Sequence, residues 1–416
     1  MYSLKTYIEN KFYEPSCSFT AVSQRGRYES VITEGGMGGH MSHPIDYDDL
    51  TFGELNDMIE QLFDGKIENV KEKLDGTNIQ ATVNKDGEVV FIRNKGDLNS
   101  EKGGMSVEDM AKKWSDKPSV AKNYVKAGEV IEKIFSKMPI EYFNPDDETK
   151  VVVNCECISA GQTNVMLYEK DRVAFHGTAT YKLKDGKWQL ESESEGEPAE
   201  IRKAAEGIKE ALPRPALVIK NAEEAKKAST EAREQLAEMM NAYHMKSDST
   251  ILDWKRTRFD ELAPLWARND ECFNRLVQQD KSLNMRELKK KYPDIQDFEK
   301  SEAKGLYRDI MEPLDTLFSQ IGNALIALLD GFTNADDSDK VVAALKDELE
   351  KDKEYVEKEG TDEMKDVMVR SLQRLNKLGN KLNAAEGIVF QYKGKLMKMT
   401  GAFSALNQAL GVKFMK

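Results

Sequence analysis

Cysteine and histidine are scarce in this chain, with four of each among 416 residues. Cys17, Cys155, Cys157 and Cys272 are too few and too scattered for a disulfide framework. Cys155 and Cys157 flank Glu156 on an expected strand, where alternation turns both thiols away from the carboxylate. Packed core cysteines account for them better than metal ligands do. His40 and His43 lie in the glycine-rich stretch 34–44 and, with no further ligand nearby, read as turn or surface histidines. Long apolar runs are also missing: none nears the roughly 20 residues that span a bilayer. The opening residues MYSLKTYIENKFYE lack the apolar core of a signal peptide, so a cytoplasmic protein without membrane contact is expected. Positive charge is in deficit. A formal net charge of -12 argues against a surface that coats nucleic acid generally and confines any polynucleotide contact to a local basic site.

What is present is a soluble-type composition, 40% hydrophobic and 32% charged, in a chain longer than one core usually supports. Two domains, or one domain with a large insertion, follow from the length. Residues 1–27 show no clean periodicity, and 27–33 reads as a short strand. Thr51 to Glu54 is a capping box, and Leu55, Met58, Ile59 and Leu62 follow at helical spacing until Gly65. Strands are expected over 67–72, 79–84, 89–93 and 151–159, with turns at Asp75–Asn78 and Lys85–Gly87, and helical patterning covers 105–138. A hairpin over 172–192 turns at Lys-Asp-Gly-Lys, and a last strand pair is expected at 386–392 and 396–400, turning at Lys393–Lys395.

Between these sheet segments the composition changes. The acidic stretch 191–200 reads as a mobile connector, and about 180 residues after it carry apolar positions three and four apart. Leu314, Leu317, Phe318, Ile321, Leu325 and Leu328 form the widest stripe and mark the centre of a helical bundle. The Glu-Lys blocks of 347–358 read as a solvated helix face. The expected organisation is an N-terminal extension (1–27), a first sheet part (28–192), a helical insertion (193–382) and a last sheet part (383–416).

Lys73, Arg93, Glu156, Glu386 and Lys398 are charged residues set among apolar strand neighbours, and phosphate chemistry needs such a mixture of cations and carboxylates. Lys73-Leu-Asp75-Gly76 resembles the K-x-D-G motif of the covalent nucleotidyltransferases, the superfamily of ATP-dependent DNA ligases, RNA ligases and mRNA-capping enzymes. The longer string Glu72-Lys73-x-x-Gly76-Thr77-Asn78 is closest to phage-type RNA ligases. Arg93 stands twenty residues after Lys73, where the family has a ribose- and substrate-contacting arginine. Glu156 resembles the motif III carboxylate, Phe175 the aromatic that stacks on adenine, Glu386-Gly-Ile-Val389 motif IV, and Leu396-Met-Lys398 motif V. The resemblance covers roughly 66–190 and 383–403.

It implies an α+β, ligase-type nucleotidyltransferase domain with antiparallel sheets, interrupted by a large all-α insertion. It also implies a lysyl-AMP intermediate: Lys73 attacks the α-phosphorus of ATP, AMP passes to a 5′-phosphate end, and a 3′-hydroxyl seals the strand. Lys73, Asp75 and Lys398 would then be catalytic. Glu72, Asn78, Arg93, Glu156, Phe175, Glu386 and Lys395 would bind nucleotide, with Glu386 also the carboxylate for Mg²⁺ or Mn²⁺. Such a lysine must be neutral to attack, and positive charge from Lys398 and the cation is expected to lower its pKa. Asn78 stands where DNA ligases generally carry arginine, which favours RNA over DNA ends, and the helical insertion is a candidate dock for a protein partner. Three departures stand out. Thr400 replaces the second motif V lysine, with Lys395 as a substitute; Cys155 replaces a common glycine; and Glu156 and Glu386 are 230 residues apart. Alternatives are a DNA nick-sealing ligase or a capping guanylyltransferase, both of which usually need a further barrel for which the 18 residues after Lys398 leave no room. A ligase-fold adenylyltransferase or binding protein that joins no strands is the alternative from another class.

Overall fold

The computed structural model describes residues 41–412 except 117, 161–165, 167, 169, 281, 335, 337 and 378–381. The expected strand at 27–33, most of the glycine–histidine stretch and Cys17 lie outside the described residues. The architecture is mixed, with antiparallel sheets and many helices. No helix among the described residues is long and apolar enough to cross a membrane.

Helix α1 (Phe52–Phe63) begins where the capping box requires: Glu54 N donates to Thr51 Oγ1 at 3.1 Å and Thr51 N to Glu54 Oε2 at 2.9 Å. It ends before Gly65, whose φ of +66° suits a residue without Cβ. Six strands then come from one stretch of chain: β1 (Lys71–Lys73), β2 (Thr77–Val83), β3 (Val89–Ile92), β4 (Thr149–Ile158), β5 (Arg172–Lys184) and β6 (Lys187–Glu195). The strand expected over 67–72 is reduced to its end, because Asn69 adopts a left-handed φ of 57°. The last two strands are β7 (Gly387–Tyr392) and β8 (Lys395–Thr400).

These strands form two walls. Strands β2 to β6 make one large sheet in the order β3-β2-β4-β5-β6, with Ala211–Leu212 paired parallel to β5. The second sheet runs β1-β7-β8, so Lys73 pairs with Gly387 and Lys71 with Val389. The β5–β6 and β7–β8 hairpin turns have paired positive φ values, Asp185 and Gly186 at 52° and 72°, Lys393 and Gly394 at 49° and 75°, the geometry that matches strand twist. The acidic stretch beginning at 191 is therefore no loose connector. Through Glu195 it is the outer half of β6, an edge position at which exposed carboxylates discourage further pairing.

One face of the large sheet is covered by α2 (Val107–Lys113) and α3 (Pro118–Phe135), which bury Phe91, Cys155, Cys157 and Phe175 with Met110, Ile131 and Ile134. Each of the phenylalanine, isoleucine and methionine side chains contributes about 1.5–3 kcal/mol by leaving water. The helices expected as an insertion include α4 (Ala222–Ala242), α5 (Ile251–Leu262) and α6 (Ala303–Leu328), then α7 (Ser338–Glu359) and α8 (Asp362–Lys377). They have no core of their own. Leu314, Phe318 and Ile321 of α6 share one continuous core with Leu55 and Ile59 of α1 and with Ile388, Phe390, Met397 and Met399 of the three-stranded sheet. Gly322 lets α6 approach that sheet so closely that a Cβ there would lie 2.9 Å from Met399 Cγ and 3.0 Å from the Thr400 carbonyl oxygen. Helix α9 (Phe403–Gly411) packs with α7 and α8 through Leu345, Met364, Met368 and Leu406. The Glu-Lys face of α7 is exposed and carries intrahelical ion pairs such as Lys351–Asp347 at 2.6 Å.

Candidate active site around Lys73

Side chains alternate along a strand and directly paired residues point the same way, so register assigns faces. In the three-stranded sheet, Lys71 and Lys73 share a face with Gly387, Val389, Lys398 and Thr400. Glu72, Ile388, Met397 and Met399 take the other. Three lysines from two strands thus stand on one face, with Lys398 in the row of Lys71 and Thr400 in the row of Lys73.

Lys73 makes a short ion pair with Glu386 Oε1, across 313 residues of chain. The lysine side chain is 25% exposed and the glutamate 7%, so the lysine is partly open while its partner is enclosed. Burial alone would lower the Lys73 pKa, but Glu386, then Glu156 and Asp75, outweigh it and hold the ammonium above its ordinary value. Burial pushes the Glu386 carboxyl up to about 8, against the pull of Lys73. The direction expected for Lys73 is therefore reversed, because three carboxylates surround it.

The turn after Lys73 is tied to the large sheet. Gly76 N donates to Glu156 Oε1 at 3.0 Å. A Cβ on Gly76 would stand 2.7 Å from the Cys157 carbonyl oxygen and 2.8 Å from Glu156 Cγ, so only glycine permits this approach. Asp75 N donates to the Tyr168 hydroxyl at 3.0 Å, and Met166 N donates to Asp75 Oδ2 at 2.6 Å. Asp75 thus anchors the chain between β4 and β5. Asn78 pairs with Glu156, donates its amide to Asn154 Oδ1 at 2.6 Å, and accepts at its carbonyl from Arg93, whose guanidinium lies 5.6 Å from the centre of the Tyr124 ring.

Three expected residues stand elsewhere. Phe175 is fully buried against α2 and α3, its exposure 0%, so no base can stack on it where it stands. The cause is a β-bulge. Asn154 pairs with Gly177 but Cys155 with Phe175, leaving His176 as the extra residue. An unbroken register would have set Phe175 opposite Glu156; the slip turns Phe175 into the core and brings His176 Nε2 to 3.0 Å from Glu156 Oε2. Glu72 faces away from Lys73 and accepts from Thr333 N at 2.7 Å and Thr333 Oγ1 at 2.6 Å; its burial pushes the carboxyl pKa up. Lys395 sits at the hairpin turn on the face opposite Lys398, held by Asp49 at 2.5 Å and over the Tyr47 ring at 4.7 Å, so it does not replace a lysine at position 400.

Sequence reasoning missed His176, Arg214 and Thr333. Arg214 donates to His176 Nδ1 and, at 2.6 Å, to the Glu72 carbonyl. Burial would raise the Glu156 carboxyl, but the His176 hydrogen bond, the Lys73 charge and the Gly76 N–H bring it below the usual carboxylate range. Burial, assisted by Arg214, lowers His176 against the hydrogen bond to Glu156. Only the adjacency of His176 to Phe175 hinted at its role.

For a cation, the donor set offers one opening. Glu386 Oε2 is buried without a hydrogen-bond partner. No group of three acidic, histidine or cysteine side chains among the described residues forms a protein-only cage. That donor set fits Mg²⁺, which keeps waters and shares one or two carboxylates with substrate phosphates. The chain matches no protein-family model, no curated protein and no solved structure.

Proposed function

We propose that the chain is an ATP-dependent RNA ligase acting in the cytoplasm through a lysyl-AMP intermediate on Lys73. The observation that carries this reading is the register placing Lys73 and Lys398 on one sheet face, with Lys73 against Glu386 and its following turn on Glu156. A partly exposed lysine, further lysines on its sheet face and enclosed carboxylates are the groups that nucleotidyl transfer to lysine requires.

Lys73 loses its ammonium proton, and its nitrogen bonds to the α-phosphorus as the bond to pyrophosphate breaks. The nitrogen's second proton leaves to solvent. AMP then passes to a 5′-phosphate oxygen, freeing Lys73, and a 3′-hydroxyl attacks that phosphate and expels AMP. Lys71 and Lys398 attract the phosphates to this face as point charges. Glu156, ionised and fixed by donors, accepts from hydroxyls. A divalent cation held through Glu386 Oε2 would neutralise nonbridging phosphate oxygens and weaken the grip of Glu386 on the Lys73 proton.

The test is incubation with α-labelled ATP and Mg²⁺ followed by denaturation. Wild-type protein retains label and Lys73→Ala retains none; label then moves to 5′-phosphorylated RNA and not to nicked duplex DNA. A folded preparation that takes no label overturns the enzyme reading, transfer to nicked DNA alone makes it a DNA ligase, and labelling by GTP alone makes it a capping enzyme.

A further inference from the structure

Arg214 reaches the site from outside the motif-bearing strands. It lies between Pro213 and Pro215, just after the short strand Ala211–Leu212 that pairs with β5, and the two prolines stiffen its approach. Leu217 N donates to the Val70 carbonyl at 2.7 Å and Arg214 Nη2 to the Glu72 carbonyl, so this segment lines the open edge of β1. The other terminal nitrogen of Arg214 meets His176 Nδ1.

A guanidinium has five N–H donors, no acceptor, and keeps its proton. His176 Nδ1 must therefore be the lone-pair nitrogen, which leaves the ring proton on Nε2, 3.0 Å from Glu156 Oε2. Glu156 Oε1 receives the Gly76 N–H at 3.0 Å. Both carboxylate oxygens are then held by donors from two directions, and the lone pairs left over can only accept.

We propose that Arg214 and His176 are positioning residues: Arg214 selects the His176 tautomer, His176 orients Glu156, and Glu156 fixes the turn that follows Lys73. The inference rests on the ligase reading for its consequence, which is that Glu156 faces hydroxyl donors such as those of a ribose and disfavours phosphate. It does not rest on that reading for the geometry.

The two are separable by experiment. With four histidines in the chain, selective ¹⁵N-histidine labelling gives a countable spectrum, and His176→Gln assigns the His176 signal. In the wild-type protein His176 shows protonated Nε2 and bare Nδ1 at neutral pH. In Arg214→Met the ring gains the Nδ1–H form and titrates at higher pH, since the charges facing it are then Glu156 from β4 and Lys73 from β1, with the repelling guanidinium gone. A wild-type Nδ1–H tautomer, or one unchanged in Arg214→Met, overturns the proposal.

In ATP labelling, His176→Gln keeps the relay, because its amide oxygen accepts from Arg214 and its NH₂ donates to Glu156, whereas His176→Leu breaks it. Leucine is expected to slow labelling about tenfold to 100-fold, the scale of a misplaced reacting group, with glutamine near wild type. Equal losses in both variants overturn the positioning role. If wild-type protein takes no label the ligase reading falls, and the tautomer measurement still decides whether Arg214 orients His176.

Discussion

The two sheets that meet at Lys73 have antiparallel main strands, yet they are built in opposite ways. The larger draws its five main strands from residues 77–195, and one of its faces has a core of its own under α2 and α3. The smaller joins β1 to strands more than 300 residues later and buries its far face in the same core as the helices. Thr333 holds Glu72, Leu217 holds the edge at Val70, and α6 lies against β8 at Gly322. The carboxylate wall thus draws its main strands from one stretch and has a core of its own under α2 and α3, although Ile158 and Ala174 share a second core with Leu345 and Leu375 of the helical block. The lysine wall buries its far face in the helical core. Damage to the helices should reach Lys73, whereas damage in the core under α2 and α3 should stay there.

The sharpest break comes where the walls touch. Gly76→Ala drives a methyl into the Cys157 carbonyl and Glu156 Cγ. Labelling with ATP should fall by about tenfold or more, each tenfold being ~1.4 kcal/mol of barrier. Unchanged labelling would show that Glu156 does not set the turn. Next is Gly322→Val, which overpacks the contact between α6 and β8. A loss of about 1–3 kcal/mol in urea unfolding is expected, together with slower labelling, although the substitution lies on the helical side. Stability lost with labelling intact would undo the coupling between helices and Lys73.

Phe175→Leu is the counterpart in the core under α2 and α3. It should cost about 1–2 kcal/mol through a partly filled cavity and leave nucleotide affinity, measured by calorimetry, as it was. Weaker nucleotide binding would return Phe175 to the role of base platform.

The last test concerns pH. The Glu386 carboxyl is raised by burial to about 8, so between about 4.5 and 8 the folded chain binds a proton that the unfolded chain has released. Stability therefore falls as pH rises through that window. Glu386→Gln has no such proton and should show a shallower slope in urea melts at pH 5 and pH 8. Parallel slopes would mean that Lys73 keeps Glu386 ionised throughout.

What could be read from the sequence was what depends on neighbours along the chain. The Thr51 cap, the Asp185-Gly186 and Lys393-Gly394 turns, and the alternation that sends Cys155 and Cys157 away from Glu156 are set within a few residues. Lys73, Glu156, Glu386 and Lys398 drew notice as charges among apolar neighbours in the sequence, and the fold brings Lys73 against Glu386 and sets Lys398 on its face. Phe175 was misread because one bulged residue reverses parity and no propensity marks where a bulge falls. Glu72 was misassigned although adjacent strand residues face opposite ways. The helical segment read as an insertion because periodicity reports an apolar face and not what covers it; β7 and β8 cover much of α6. Arg214 carried no signal, being an isolated arginine between prolines whose partners, His176 and Glu72, are 38 and 142 residues away along the chain.

The separation of β1 from β7 also orders events during synthesis. The large sheet has all its main strands once residue 195 has left the ribosome, but the partner of Lys73 is Glu386, close to two hundred residues later. At about 5–20 residues per second, that interval lasts on the order of 10–40 s. Throughout it β1 has no strand beside it, and Lys73 cannot yet meet the carboxylate it pairs with in the finished fold. A nascent or truncated chain that stops before Glu386 would carry Lys73 and the turn after it without the carboxylate that Lys73 pairs with, so the helical block is made before that contact can form.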